Sequence, residues 1–432
     1  MEQIREIMRV KDIRSKLLYM LGVMLIVRFG SQVPVYGTDP SYLQKILENT
    51  DFNLLDMFSG GSFSNMSIFA LSITPYITAS IIIQLLTIAI PALEELSEDG
   101  ETGRQKINDY TRYLAAALAL MESIAMCVGF SRQGVFTGGT LAIITAVVTL
   151  TAGAVYLMWL GEQCTEHGIG NGVSFILLVN ILSRVPQMVS SCYEQFIAGN
   201  KPAWGILAAV IIIILLAGIT AFVVVLDGAV RNIPVINSRK ISTSSKYING
   251  GAQPMPLKVN TSGVIAVIFA SSILSFPGII ASFAGKTSEW TWLAYLNQNN
   301  WFSLTRPIYS IGAVLYCALV VFFAYFYTDI QLNPRLIADN LKKRGSVIQG
   351  VKPGAPTEEY LRTVISHIIP IGAIGLLIVC LLPIVINGVT GANISFGGTS
   401  LIIVAGVIVE FVKQLQGMMT TRGRKGFLSD IG

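Results

Sequence analysis

The sequence predicts an all-α polytopic membrane protein with about ten transmembrane helices. Three observations carry this reading. Only 13% of the 432 residues are charged and 53% are hydrophobic, whereas a soluble domain carries about 25% charged residues. The mean hydropathy is +0.63. The apolar residues also fall in runs of the length that crosses a bilayer, about 20 residues each.

Taken in order, the spans run near Leu17–Val33, Ser67–Ile90, Tyr113–Phe130, Leu141–Leu160, Val173–Val189, Ile206–Leu226, Gly263–Phe283, Ile308–Tyr327, Val364–Val385 and Thr399–Met418. The N-terminal arm MEQIREIMRVKDIRSK is amphipathic and basic, and no small-residue cleavage site follows the first apolar run, so no cleavable signal peptide is expected. An even number of spans puts both termini on one side. Lysine and arginine crowd the N-terminal arm, the second-third, sixth-seventh and eighth-ninth loops and the C-terminal end. The opposite face holds only Lys45, Arg132, Arg184, Lys201, Lys286 and Arg306. The asymmetry, about four to one, places both termini in the cytoplasm.

The stretch Asp56–Ile90 departs from a plain span. A Gly60-Gly61 pair and a serine-rich forerunner precede Pro75 and the dense run Ile81-Ile82-Ile83. Irregular backbone at membrane depth survives only inside protein or beside a water-filled cavity. Two readings stay open: a half-length helix leading into a full one at the edge of a cavity, or a loop before an ordinary span.

Two long loops, near Asp227–Ser262 and Asp329–Thr363, are polar and basic. In the first, Val230–Ile236 and Thr243–Ile248 are candidate strands, with Asn249-Gly250-Gly251 as a turn after them. In the second, Leu336–Arg344 has a short helical pattern ahead of the turn-rich GVKPGAP. Their charge marks a docking surface for a cytoplasmic partner. The chain divides into an N-terminal half, residues 1–200 with spans one to five, and a C-terminal half, residues 201–432 with spans six to ten. An odd number of spans per half is the condition for an inverted repeat with a pathway at the repeat interface.

Catalytic chemistry finds little support. His167 and His367 lie far apart, and neither an HExxH nor a GxSxG pattern occurs. The glycine run Gly168–Gly172 lacks the strand and spacing of a phosphate loop and reads as a tight turn between the fourth and fifth spans. Five scattered cysteines, Cys127, Cys164, Cys192, Cys317 and Cys380, form no CxxC pair. Neither a disulfide framework nor a metal site is expected, and no cofactor is called for. Arg28, Glu122 and Glu410 are the intramembrane charges. Such groups are functional candidates by default, but three scattered ones fit helix anchoring or snorkelling better than proton coupling. On the second span Ile73, Ile77 and Ile81 share one helical face, continued by Gln84. If that face lines a pore, its aliphatic ring dewets and obstructs ions.

Specific stretches along nearly the whole chain resemble the SecY family, the channel subunits of the bacterial Sec translocon. They are VRFGSQVPV, DMFSGGSFSNMSIFALSITPYITASIIIQLLT, ETGRQKINDYTRY, MWLGEQCTEHGIGNGVS, PLKVNTSGVIAVIFASSILSFP, FFAYFYTDIQLNPRLIADNLKKRG with GVKPG, and FGGTSLIIV, in family order. The resemblance implies two inverted five-helix halves around a central pore. The pore ring would be Ile73, Ile77, Val173, Leu177, Ile268 and Ile403. A plug over about residues 54–66, including Asp56, Met57, Phe58, Ser59, Gly60, Gly61 and Ser62, would close it from outside. Gln84 and Asn260 would belong to a lateral gate. Arg231, Arg239, Lys240, Lys342, Lys343, Arg344 and Lys352 would dock the SecA ATPase or the ribosome. SecE and SecG would be partner subunits in a bacterial inner membrane, nucleic acid being met only through the ribosome.

The chain departs from the family pattern at a few places. Lys352 stands where an arginine is usual, Arg231 alone represents a basic cluster, Ala266 replaces a proline, and Val173 and Leu177 replace isoleucines. The function implied is passage of unfolded, signal-bearing polypeptides across the membrane and sideways release of apolar segments into lipid, without catalysis by this chain. A small-solute secondary transporter and a membrane-embedded enzyme are the alternative classes. A solute flux that needs no motor protein distinguishes the first, and nucleophile or metal motifs the second.

Overall fold

The structure is a computed structural model. It describes residues 10–39, 43, 56, 59–132, 134–136, 138–193, 214, 217–237, 252–284, 292–296, 301–302, 307–390 and 398–420. Twelve helices are of interest here: α1 Lys11–Gly30, α2 Thr74–Ala89, α3 Pro91–Glu98, α4 Gly100–Arg132, α5 Gly139–His167, α6 Gly172–Tyr193, α7 Ala217–Gly228, α8 Gly263–Ala284, α9 Ile311–Gln331, α10 Pro334–Lys343, α11 Ala355–Thr390 and α12 Gly398–Thr420. Each of the ten apolar runs overlaps one of them: α1, α2, α4 to α9, α11 and α12. Among the described residues α4, α5, α9, α11 and α12 are long and apolar enough to cross a membrane, and α2 with α3 makes a sixth if that bent pair is one span. Exposed aliphatic and aromatic side chains such as Leu25, Phe29, Leu141, Val314 and Ile371 lie along these helices, as expected where the solvent is lipid.

Contacts divide the chain into two compact units. One comprises Met1–Ala209, Ser275–Asn297 and Val407–Gly432, the other Val210–Leu274 and Gln298–Gly406. In the first, α4 packs against α2, α3 and α5, and α5 packs against α6. Helices in lipid gain little from burying apolar surface against one another, so close packing and interhelical hydrogen bonds hold them. Both occur. Ser123 Oγ and Thr151 Oγ1 lie 2.8 Å apart between α4 and α5, and Arg112 Nε donates to both Glu162 oxygens at 2.8 and 3.0 Å across the same pair. Gly153 on α5 lets the chain at Ile68 approach so closely that a Cβ there would sit 2.1 Å from the Ile68 carbonyl oxygen.

Where it is described, the stretch before α2 is helical at Asp56 and Ser59 and irregular from Gly60 to Ile73. Residues 60–73 form successive turns, and α2 begins at Thr74 rather than Ser67. Phe63, Met66, Ala70 and Leu71 are buried with Met126 and Phe130 of α4 and Leu150 of α5. Gly60, Gly61, Met66 and Ser72 have positive φ, which breaks helical continuation. Beyond α2 the chain bends by 107° into α3. Ile90 is extended (φ −115°, ψ 110°) because Pro91 excludes the helical region for the residue before it.

In the second unit the two basic loops form one sheet. Strands β1 Val230–Asn237, β2 Ala252–Lys258 and β3 Ser346–Ile348 are antiparallel in the order β2-β1-β3. Val230 pairs with Lys258, Ile236 with Ala252 and Val235 with Ile348. The first expected strand is therefore present. Its partner on one side is Ala252–Lys258; the other expected strand, Thr243–Ile248, lies outside the described residues. Pro254 and Pro256 argue against a strand in the sequence, yet β2 is an edge strand, and alternate residues direct their backbone nitrogens to the same side. The missing N–H groups can thus face outward. Ile233, Val235, Leu257 and Ile348 form a buried cluster with Leu361, Ile365 and Ile369 of α11. Helix α10 covers it with Ile337 and Leu341. Asn333 caps α10 by accepting from the backbone nitrogens of Arg335 and Leu336 at 3.1 and 3.3 Å.

Candidate functional site

The segment ahead of α2 is held by polar groups of α6 and α1. Asp56 Oδ1 accepts from the Ser64 backbone nitrogen at 2.9 Å, and Ser59 Oγ caps the next turn by accepting from Phe63 N at 3.0 Å. Arg184 of α6 forms an ion pair with Asp56, both side chains being 18% exposed, and donates to Ser64 Oγ at 3.2 Å. Arg28 of α1 donates to the Gly60 carbonyl at 3.2 Å and to Ser183 Oγ at 2.9 Å. Asn180 donates to Ser72 Oγ at 3.2 Å. Gly60, at φ +66°, rests on α6 so tightly that a Cβ would lie 2.8 Å from Asn180 Cα. Ser59, Gly60, Gly61 and Ser62 are all buried. Met57 and Phe58 lie outside the described residues.

Sequence reasoning missed these holding groups. Arg184 was assigned to the outer face, and Arg28 to anchoring or snorkelling. Asn180 and Ser183 looked like ordinary span residues. The available signal was a lone arginine in each of two apolar runs and a lone aspartate in the turn segment.

The aliphatic residues follow directly. Ile73 is the cap residue of α2 and is 1% exposed, and its carbonyl accepts from Ile77 N at 3.1 Å. A Cβ built on Gly161 of α5 would lie 3.2 Å from Val173 Cγ2 and 3.5 Å from Ile73 Cδ1, so the first unit brings Ile73 and Val173 to one place. Leu177, one turn beyond Val173, is buried, and Ile77 is half-buried. In the second unit Ile268 is half-buried on α8 and Ile403 is buried on α12. The Gly168–Gly172 turn is as expected. Thr165 Oγ1 accepts from Gly172 N at 2.9 Å, and Asn171 Oδ1 accepts from Val173 N at 3.0 Å, capping α6. Between α6 and α12 an apolar cavity of about 250 Å³ is lined by Phe175, Leu178, Leu182, Val407 and Phe411, with Glu410 at its edge.

The polar residues assigned to a lateral gate have distinct surroundings. Gln84 donates to Ser80 Oγ at 3.2 Å on its own helix, and its buried Oε1 has no hydrogen-bond partner among the described residues. Asn260 donates to Asp227 Oδ1 at 2.6 Å and accepts from Gly263 N at 3.1 Å at the start of α8. Of the basic docking candidates, Arg231 is exposed on β1, and Lys342, Lys343 and Arg344 are exposed at the C-terminal end of α10, where cations complement the helix dipole. Lys352 is exposed in a turn flanked by Gly350 (φ +83°) and Gly354 (φ +103°), and its carbonyl accepts from Thr357 Oγ1 at 2.8 Å. Arg239 and Lys240 lie outside the described residues. Cys127, Cys164, Cys317 and Cys380 are unpaired thiols.

A family model described as SecY matches residues 67–412. The chain belongs to the SecY family. The protein translocase subunit SecY of Escherichia coli K12 is 40% identical over 94% of this chain and 92% of that protein. The subunit of the same name from Bacillus subtilis 168 is 38% identical over 99% of both. A solved protein-conducting channel superposes with a TM-score of 0.63 at 18% identity, over 93% of this chain and 91% of its own. The Sec61 chain of a canine ribosome–channel complex from the endoplasmic reticulum gives 0.60 at 17% identity over the same shares. As a SecY-family member the chain is a multi-pass membrane protein, and its fold is the ten-helix channel architecture of those structures.

Proposed function

We propose that this chain is the channel subunit of a bacterial Sec translocon. It passes unfolded, signal-bearing polypeptides across the inner membrane and releases apolar segments sideways into lipid. Both termini lie in the cytoplasm. The chain catalyses no reaction of its own. A SecA-type ATPase or a ribosome supplies the drive, and SecE and SecG accompany it.

The observation that carries this reading is the segment 59–73. It is a buried, polar-anchored run of turns that ends directly in Ile73. A loop that merely joins two spans has no cause to be buried or to receive two arginines. In this reading the segment is the plug, Ile73, Ile77, Val173, Leu177, Ile268 and Ile403 form the ring, and Gln84 and Asn260 belong to the lateral gate. A narrow aliphatic ring dewets and so opposes ion passage. The three-stranded basic sheet, α10 and the Lys352 turn form the docking face, and residues 1–200 and 201–432 are the two halves.

The test is reconstitution of the purified complex in vesicles with a motor ATPase and a signal-bearing substrate. Protease-protected substrate should appear only with ATP and the motor. Uptake of a small solute without a motor, and no protected polypeptide, refutes the reading in favour of a secondary transporter.

A further inference from the structure

Three isolated charges converge on the turn segment. Asp56 is the only charged residue between Asp51 and Glu94. Arg184 is the only one in α6, and Arg28 the only one between Lys16 and Asp39. A charge within an apolar span is costly and persists where it has a partner. Here each of the two arginines finds its partner in the same short segment. Arg184 pairs with Asp56 and reaches Ser64. Arg28 holds the Gly60 carbonyl directly and Ser183 beside it, and Ser183 Oγ itself lies 3.2 Å from that carbonyl. The anchors grip the segment at Asp56, Gly60 and Ser64, so both ends of its first turns are fixed. None of them involves the aliphatic residues that would form the seal.

We infer that Arg184 and Arg28 are positioning residues that latch the turn segment in its closed seat, with Asp56 as the anion Arg184 reads. This rests on the plug reading above and assigns it a cause. The seal depends on shape and dewetting, whereas the seat depends on charge. Breaking a partly buried ion pair by removing one partner leaves the other charge uncompensated. The closed state should therefore be lost through either member of the pair. Exchanging the two charges should restore it, which a purely steric role does not allow.

The experiment measures resting ion conductance of the purified complex in planar bilayers, with co-purification of its partner subunits confirming assembly. Asp56→Asn, Arg184→Gln and Arg28→Gln should each raise resting conductance about tenfold. The exchanged variant, Asp56→Arg with Arg184→Asp, should return to within about threefold of wild type. Deletion of residues 56–65 is the separate control for the plug reading and should leak whatever the latch does. If the deletion leaks and the single substitutions stay at the wild-type level, the latch is refuted and the plug stands. If the exchanged variant leaks as much as the singles, the ion pair is refuted as the cause. If the deletion itself does not leak, both readings fail.

Discussion

Asn260 and Asp227 tie the end of α7 to the start of α8, with Asn260 Nδ2 2.6 Å from Asp227 Oδ1. The same asparagine accepts from Gly263 N with its other amide atom at 3.1 Å, so one side chain caps α8 and fixes the approach of α7. A hydrogen bond to an ionised group is worth about 1.5–3 kcal/mol, and a cap about 1 kcal/mol.

The arrangement predicts a directional result. Asn260→Asp at neutral pH sets two carboxylates against each other and should lower the melting temperature of the detergent-solubilised complex by several degrees. Asn260→Asp combined with Asp227→Asn should recover most of the loss, because the donor and acceptor are then only exchanged. A double variant no more stable than the single one would show that the pair does not act through this bond.

A second prediction concerns the sheet. Ile233 is 1% exposed in the cluster that joins β1 to α11. Truncating a buried isoleucine to alanine costs about 2–5 kcal/mol. The loss falls on the sheet and on the α11 residues packed against it, so Ile233→Ala should loosen the sheet and leave the other helices assembled. Limited trypsin digestion should cut faster after Lys342, Lys343 and Arg344, with the complex still co-purifying. Unchanged cleavage would mean that the cluster does not hold this sheet.

What was legible in the sequence follows from range. The ten apolar runs are local signals, and each overlaps a helix among the described residues, although α4 starts at Gly100 rather than near Tyr113 because its first turns are polar. Helix α3 was missed because it is short and amphipathic beside a strongly apolar neighbour. Strand β2 was hidden by Pro254 and Pro256, which disfavour a strand unless, as on this edge, the missing N–H groups face away from the neighbouring strand. Strand β3 has three residues, too few for any alternation to register. The residues proposed for the ring came through resemblance to the SecY family, with the face of Ile73 and Ile77 also visible in the spacing, whereas the proposed docking face was already marked by the charge of the two long loops. The pairing of Asp56 with Arg184 spans 128 positions, and nothing local predicts which charge meets which.

The third prediction tests the seal. Ile77 is half-buried one turn into α2 and Ile403 is buried on α12. Replacing both by asparagine introduces groups that hold water where an aliphatic constriction would dewet. Ile77→Asn with Ile403→Asn should raise resting conductance in planar bilayers, while translocation of a signal-bearing substrate persists because a polypeptide still fits. Wild-type conductance would remove both residues from the constriction.

The fourth prediction concerns Lys352, which lies in the turn GVKPG. The positive φ values of Gly350 and Gly354 fix that turn, and Thr357 Oγ1 holds the Lys352 carbonyl at 2.8 Å, leaving the side chain exposed. The backbone is therefore set by its neighbours and not by the lysine, so changing the side chain should not disturb the fold. Lys342, Lys343 and Arg344 are likewise exposed in the same loop. A surface of one sign selects a partner of the other and governs association more than stability. Lys352→Glu should impair motor-driven translocation at least tenfold while expression and subunit association stay normal. Lys352→Arg should be tolerated or improved, because arginine keeps the charge and adds a planar donor fork. Raising the salt concentration should weaken motor binding to the wild type more than to the glutamate variant, since less attraction remains to be screened. Wild-type translocation by the glutamate variant would show that Lys352 is only a solvated turn residue, as most surface charges are.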